Sequence, residues 1–250
     1  MSLNKSKIEW TNYTLNPVKG LCPVACPYCY ARAMYKRFKW NPEIRYDDWV
    51  WQEGGHIPSG SRVFVGSTME IFGEWVNPAW LQNIFDCCRS LPKHTFIFLT
   101  KQPQNLIKWS PFPDNCWVGV SVTSAKDAII RVPKLKDIVA PVKFISFEPL
   151  LKPIAPPNQL YIMLKLSGIN WIIIGAQTPR SEKTFPKWAW VREIIEAADT
   201  AGIPVFLKPN LGLLEYSCEG STPFYKRHPA GTWKIRQELP ALDKGEEKHE

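Results

Sequence analysis

Trp117-Val118-Gly119-Val120-Ser121-Val122 is a short, largely apolar run without the in–out alternation of a half-exposed strand. That is the pattern of a strand buried on both faces of a parallel sheet. Similar runs stand on either side of it: Arg62–Gly66 and Thr95–Leu99 before, Val142–Phe147, Trp171–Ile174 and Pro204–Leu207 after. Helical candidates lie between them at Ala79–Leu91, Gln104–Lys108, Ala125–Val139 and Trp188–Ala201. The last carries an apolar stripe of Val191, Ile194, Ile195 and Ala198 and stops at Gly202-Ile203-Pro204. Strand–helix alternation predicts an α/β fold with a parallel sheet. Six such runs and a weaker strand signal at Lys7–Thr11 suggest a (β/α) barrel, complete or partial. Spacing alone leaves a doubly wound open sheet as the alternative.

The same rhythm divides the chain. Residues 1–210 form the barrel unit, and Ala31–Phe38 reads as a short helix within it. Residues 39–61 break the pattern with Asn41-Pro42, Gly54-Gly55 and Pro58-Ser59-Gly60. This insertion holds Trp40, Trp49 and Trp51, which are expected to bury a lid against its own body. Pro149–Leu166 reads as a loop plus one short helix on the rim. Residues 211–240 are expected to form a C-terminal cap, and 241–250, rich in Lys, Glu, Gly and His, a disordered tail.

At 250 residues and 45% hydrophobic content, the chain suits one large domain or two small ones. No apolar run reaches membrane-spanning length, and Met1–Lys7 lacks the apolar core of a signal peptide. A cytoplasmic location is the resulting expectation, with no membrane partner. Seven cysteines, an odd number without an export signal, argue against a disulfide framework. The formal charge of +8 is compatible with a polyanionic partner such as nucleic acid. Two groups interleave aromatics with cations, Tyr35–Trp40 and Phe224–His228, as single-strand binders do. Solvated cations beside packed aromatics are the plainer reading of each.

Near the N-terminus stands Cys22-Pro23-Val24-Ala25-Cys26-Pro27-Tyr28-Cys29-Tyr30-Ala31-Arg32, with cysteines spaced C-x3-C-x2-C. Three thiolates on so short a loop can converge on one metal centre. A cubane iron–sulfur cluster takes a ligand on each of four irons, so three cysteines leave one iron open. A zinc site would usually bring a second nearby Cys/His pair, and a thioredoxin-like site needs only Cys26 and Cys29. Active sites of parallel barrels lie at the C-terminal strand ends. Those ends here carry Ser67-Thr68-Met69-Glu70, Thr100-Lys101-Gln102, Ser121-Val122-Thr123-Ser124, Glu148, Gln177-Thr178 and Lys208-Pro209-Asn210. Lys101 and Glu148 directly follow hydrophobic strands, where a charge needs a partner or a ligand. Cys87 and Cys88 are expected to be buried in a helix, and Cys116 lies at the strand end away from the site. Cys218 is the remaining candidate for an extra ligand. The four histidines show no metal spacing.

C-x3-C-x2-C with Tyr28 before the third cysteine resembles the cluster motif of the radical S-adenosylmethionine (radical SAM) superfamily. The wider stretch, Ile8-Glu9-Trp10-Thr11 and Asn16-Pro17-Val18-Lys19-Gly20 before the cysteines, resembles the phage-associated Gp37/Gp68-like (DUF5131) family. Phe98-Leu99-Thr100-Lys101, Trp117–Val122, Ser146-Phe147-Glu148-Pro149-Leu150 and Trp171–Gly175 follow in the same order, so the resemblance covers about residues 7–212.

It implies a partial or modified TIM barrel. It also implies a 4Fe-4S cluster on Cys22, Cys26 and Cys29, with S-adenosyl-L-methionine at the open iron and an external electron donor. Reductive cleavage would yield a 5′-deoxyadenosyl radical that abstracts hydrogen from a substrate. Tyr28 then packs beside the cluster, Ser67 and Thr68 meet the methionine amino group, and Ser121 and Thr123 meet the ribose. Lys101 pairs with a carboxylate or phosphate. Glu148, Gln177 and Lys208 face the substrate. Gln177 also counts with the cofactor-binding residues, and Lys101, Glu148 and Lys208 form the catalytic set.

Three positions depart from the pattern. The superfamily's Gly-Gly-Glu becomes Gly66-Ser67-Thr68-Met69-Glu70. Gly175-Ala176-Gln177-Thr178 stands where Gly-Gly-Glu-Ser is expected, and Gln102 where an arginine is. Basicity and similarity of the cysteine region to photoproduct-lyase-like radical SAM proteins admit a nucleic acid or nucleotide substrate. The rival readings are a non-enzymatic iron–sulfur or nucleic-acid-binding protein, and a structural zinc protein.

Overall fold

Seven parallel strands and one antiparallel edge strand form a single sheet. The computed structural model describes residues 3–51, 57–213, 223–227 and 233–241. The strands are β1 (Leu3–Lys5), β2 (Tyr13–Leu15), β5 (Arg62–Val65), β6 (Thr95–Thr100), β7 (Cys116–Ser121), β8 (Val142–Phe147), β9 (Trp171–Ile174) and β10 (Val205–Leu207). β1 pairs antiparallel with β2, and from β2 to β10 every pairing is parallel. A small ribbon of β3 (Val18–Lys19) and β4 (Arg45–Tyr46) lies apart from the sheet.

Trp10 shows that this sheet curls. Its ring centroid is 5.0 Å from that of Phe64 on β5 and 6.2 Å from that of Trp171 on β9. A flat sheet would hold those two strands about 19 Å apart. One indole reaches both because the sheet wraps around it, as a partial (β/α) barrel. The interior is an aromatic cluster of Trp10, Phe64, Trp117, Phe144, Trp171 and Phe206, joined by the buried aliphatics Ile97, Val142 and Ile173. The opposite face of each strand packs beneath the helices in a larger cluster. Alternate residues of β7 divide accordingly, Trp117 inward, Val118 and Val120 outward. Gly119 is required inside, since a Cβ there would sit 2.6 Å from the Phe144 ring.

The helices are α1 (Tyr30–Phe38), α2 (Pro78–Ser90), α3 (Ala125–Arg131), α4 (Pro157–Leu166) and α5 (Trp188–Ala201). Each of the six expected strand runs contains a strand, and α5 keeps its expected bounds. The α3 helix is shorter than its expected Ala125–Val139. Pro133 has no N–H to offer, so the chain tightens into a 3-10 turn at Val132–Leu135. The expected helix Gln104–Lys108 is likewise a 3-10 helix, Pro103–Trp109.

The expected strand at Lys7–Thr11 is not a strand. Ser6 Oγ accepts from Ile8 N, Thr11 N donates to Ile8 O, and the Thr11 hydroxyl bonds Tyr13 O and Arg62 O. These bonds turn the chain and drive Trp10 into the barrel, so the strand begins at Tyr13 instead. Of the three insertion tryptophans, Trp51 packs against the core, whereas Trp49 is 70% and Trp40 43% exposed.

Towards the C-terminus, β11 (Tyr225–Arg227) and β12 (Trp233–Ile235) form a hairpin. The following residues run along the free edge of β10, with Leu207 N donating to Arg236 O and Glu238 N to Val205 O. An otherwise open sheet edge is thereby covered. Cys218 and the expected tail from residue 242 onward lie outside the described residues.

Candidate cofactor and substrate site

Parallel strands place all their C-terminal ends on one rim, and the cysteine loop leaves β2 at that rim through Asn16 and β3. Two turns shape it: Ala25 N donates to Cys22 O and Cys29 N to Cys26 O. Ala25 takes a left-handed conformation, φ 51°. Arg32 of α1 donates from Nη2 to Cys22 O at 2.7 Å, holding the loop's start against the helix that follows it. Cys29 caps α1, its Sγ accepting from Arg32 N. Burial pushes the Cys22 thiol up, against bonds from the Glu70 and Val24 backbone that favour the thiolate.

All three thiols are free and only partly buried. Among the described residues, no three His, Cys, Asp or Glu side chains are close enough to hold a single ion. A cubane cluster asks less convergence, because each thiolate binds a different iron. Three thiols free of disulfides on one short, tethered loop are a donor set suited to such a cluster.

Beside the loop opens a cleft of about 410 Å³. Cys26 and Tyr28 line one side, and Lys101, Thr123, Asp127 and Arg131 the other. Burial, reinforced by Cys26, holds the Tyr28 phenol well above its ordinary range, so it stays a neutral donor. Asp127 accepts from Thr123 N at 3.0 Å and from the Thr123 hydroxyl at 2.7 Å, and it pairs with Arg131 at 3.0 Å. Arg131 also donates to Ser121 O at 2.7 Å. The Thr123 hydroxyl is therefore already engaged as a donor, and the free polar edge of this wall belongs as much to Asp127 and Arg131.

Ser67 and Thr68 form a second group. Asn16 Oδ1 accepts from Thr68 N, the Thr68 hydroxyl and the Ser67 hydroxyl at 3.1–3.2 Å. The Tyr30 hydroxyl donates to Ser67 O at 2.6 Å, and burial pushes its pKa up to about 12. The loop after β5 is thus tied both to β2 and to α1. Glu70, at the end of that loop, is buried. It accepts from Lys101 N, the Thr100 hydroxyl and Phe72 N at 2.6–3.2 Å. Burial still raises its carboxyl above the usual range.

Glu148 and Lys208, from β8 and β10, form an ion pair, and Glu9 Oε2 stands 3.6 Å from the same Lys208 Nζ. Burial raises the Glu148 carboxyl, with Lys208 opposing. Gly175 leaves room for the pair, since a Cβ there would lie 3.0 Å from Lys208 Cδ and 3.2 Å from Glu148. Ser121 and Ser146 face each other in register between β7 and β8, and their hydroxyls are buried without a partner among the described residues. Gln177 is half-buried beyond β9, next to Ala176, whose N–H and C=O are both held by Asn210.

The structure therefore places the expected residues in three groups. Cys26, Tyr28, Lys101 and Thr123 share the cleft. Ser67 and Thr68 share Asn16. Glu148 and Lys208 share a salt bridge. Ser121 lies below the rim, and Gln177 stands apart from the lining of the cleft. Sequence reasoning missed Asn16, Glu9, Asp127 and Arg131. The first two sit in stretches already singled out, and the last two are an i, i+4 pair on a helix that opens at the rim.

Fold and rim together define the class: a partial barrel of the radical SAM type with a three-cysteine loop at its mouth. A family described as "Protein of unknown function (DUF5131)" matches residues 5–221, and the chain belongs to it. Among solved structures, the chain is similar to spore photoproduct lyase complexed with dinucleoside spore photoproduct, at TM-score 0.51 and 14% identity over 95% of this chain and 71% of that one. A mutant of that lyase with bound AdoMet and dinucleoside spore photoproduct matches at TM-score 0.50 and 12% identity, over 94% and 71% of the two chains. No curated protein matches.

Proposed function

We propose that this protein is a radical SAM enzyme whose substrate is a nucleic acid or nucleotide. The observation that carries the reading is a loop of three cysteines free of disulfides beside the rim cleft, with Cys26 in the cleft's lining. In this reading Cys22, Cys26 and Cys29 hold a 4Fe-4S cluster, and S-adenosyl-L-methionine lies in the cleft beside Tyr28. When bound, these groups supply reductive cleavage to methionine and a 5′-deoxyadenosyl radical, the agent that takes hydrogen from the substrate.

The chain's own residues position and enclose. Ser67 and Thr68, preset by Asn16, meet the methionine amino group. Thr123 and Asp127 form the wall for the ribose, and Ser121 backs them from below. Lys101, whose ammonium no described side chain neutralises in a salt bridge, meets a carboxylate or phosphate. Glu148 and Lys208 present a charge pair to the substrate side, with Gln177 beyond. The electron comes from an external donor. No described helix is long and apolar enough to cross a membrane, and we place the protein in the cytoplasm, where a reducing milieu suits the cluster. The +8 charge supports a polyanionic substrate.

The test is the electron paramagnetic resonance spectrum of anaerobically reconstituted, reduced protein with and without S-adenosyl-L-methionine. A cluster signal that shifts on addition, with 5′-deoxyadenosine formed, is the expected result. Cys26→Ala should abolish both. An unchanged signal points to a structural or electron-transfer cluster, and bound zinc in place of iron would sink the reading.

A further inference from the structure

We infer that the distal end of α1 carries a docking platform for single-stranded nucleic acid, built from Phe38 and Trp40 with Lys36, Arg37 and Lys39. The two rings stack on each other with centroids 5.4 Å apart and planes 23° from parallel. Phe38 is 51% and Trp40 43% exposed. Two large apolar rings held together in solvent offer flat π-faces to a third ring, and every nucleobase has one.

The platform is built rather than frayed. Trp40 N donates to Tyr35 O, and the Trp40 ring meets Tyr35 edge-on at 5.3 Å. The Tyr35 hydroxyl accepts from Gly20 N at 2.8 Å, two residues before Cys22. Lys39 closes the helix in a left-handed conformation, which folds Trp40 back towards Phe38. The platform is thus pinned to the start of the cysteine loop.

Charge selects the occupant. Arg37 lies over the Phe38 ring at 5.3 Å. Lys36, Arg37 and Lys39 are exposed, and among the described residues none of them has an ion-pair partner. The other aromatic–basic group of the sequence offers no such exposed ring pair among the described residues: Phe224 is buried against Trp188, and Lys226 pairs with Glu238. A single strand supplies the missing complement of phosphates for the cations and unpaired bases for the rings. Nine helical residues span about 13 Å, roughly four stacked nucleotides, between the platform and the Cys29 cap. A strand bound here lies within reach of the rim cleft. That delivery role rests on the proposed function; the binding itself does not.

Fluorescence anisotropy on the full-length protein, without S-adenosyl-L-methionine, tests it with labelled 12-nucleotide DNA and RNA strands, the matching duplexes and heparin. Single strands should bind tighter than duplex. The paired Phe38→Ala/Trp40→Ala variant should weaken single-strand binding at least about 10-fold. Phe38→Tyr/Trp40→Phe should retain it. Reversing Lys36, Arg37 and Lys39 to Glu should lower the salt slope by about 2. The DNA and RNA arms identify which strand is preferred. Absence of single-strand binding, equal binding of duplex or heparin, or no effect of removing the rings would overturn the inference. So would a wild-type dimer in sedimentation velocity that the alanine variant abolishes, since the rings would then cover a second copy. None of these outcomes bears on the cluster spectrum, so this inference and the cofactor reading fail separately.

Discussion

Lys208 stands between two carboxylates of different origin. Glu148 comes from the end of β8, whereas Glu9 comes from the turn that carries Trp10 into the barrel. A buried pair is costly to break from one side, because the orphaned charge stays desolvated. Lys208→Met should therefore cost about 3 kcal/mol in urea unfolding. The double variant Lys208→Met/Glu148→Gln should cost less than the single one, since it removes the orphan. Glu9→Gln should cost under about 1 kcal/mol, because its carboxylate is partly hydrated and farther away. Equal losses in all three would mean the residues act only by filling space. The charges at 148 and 208 could be singled out from the sequence because each directly follows a hydrophobic strand. Their mutual contact could not, since 60 residues separate them.

At the scale of elements, the short stretch after β12 works as a latch on the last strand. Arg236 is buried and pairs with both Asp199 of α5 and Glu238. Burial alone would raise the Glu238 carboxyl. Bonds from Lys226, Val205 N and Arg236 outweigh it and hold the group below the usual range. A carboxyl depressed in the folded state contributes stability in full above the unfolded value, about 4.3, and loses it as pH falls through the folded value. Glu238→Gln should thus lower the melting temperature at pH 7 and flatten its fall between about pH 5 and 3 relative to wild type. An unchanged acid limb would remove the latch from the account. The strands were legible as elements because double burial leaves a continuous apolar run. The helices at 104 and 125 were less so, because Pro103 and Pro133 convert α geometry to 3-10 while leaving the polarity pattern intact.

For the whole molecule, the partial barrel depends on what fills it. Seven parallel strands that do not close leave an interior to be plugged, and Trp10 plugs it from the chain's own N-terminal turn. Trp10→Ala should cost about 3–5 kcal/mol, the range for truncating a fully buried large aromatic. A loss under 1 kcal/mol in a chemical melt would mean that the sheet holds its curvature without the plug. The same turn carries Glu9 to Lys208, so the variant should also loosen the charge cluster at the rim.

Local pattern alone was enough for the α/β class, the six central strands, the three-cysteine spacing and the rim on which the parallel strands end. Each is a local property: burial on both faces, ligand spacing, and the rule that parallel strands end on one rim. Long-range packing was needed to make Ile8–Thr11 a turn and a plug, to set Asn16 against Ser67 and Thr68, and to bring Asp127 and Arg131 to the cleft with Cys26. It also set Phe38 and Trp40 stacked in solvent and Phe224 in the interior. Those outcomes depend on partners tens of residues away, and hydrogen bonding and packing choose such partners only once the sheet has curled.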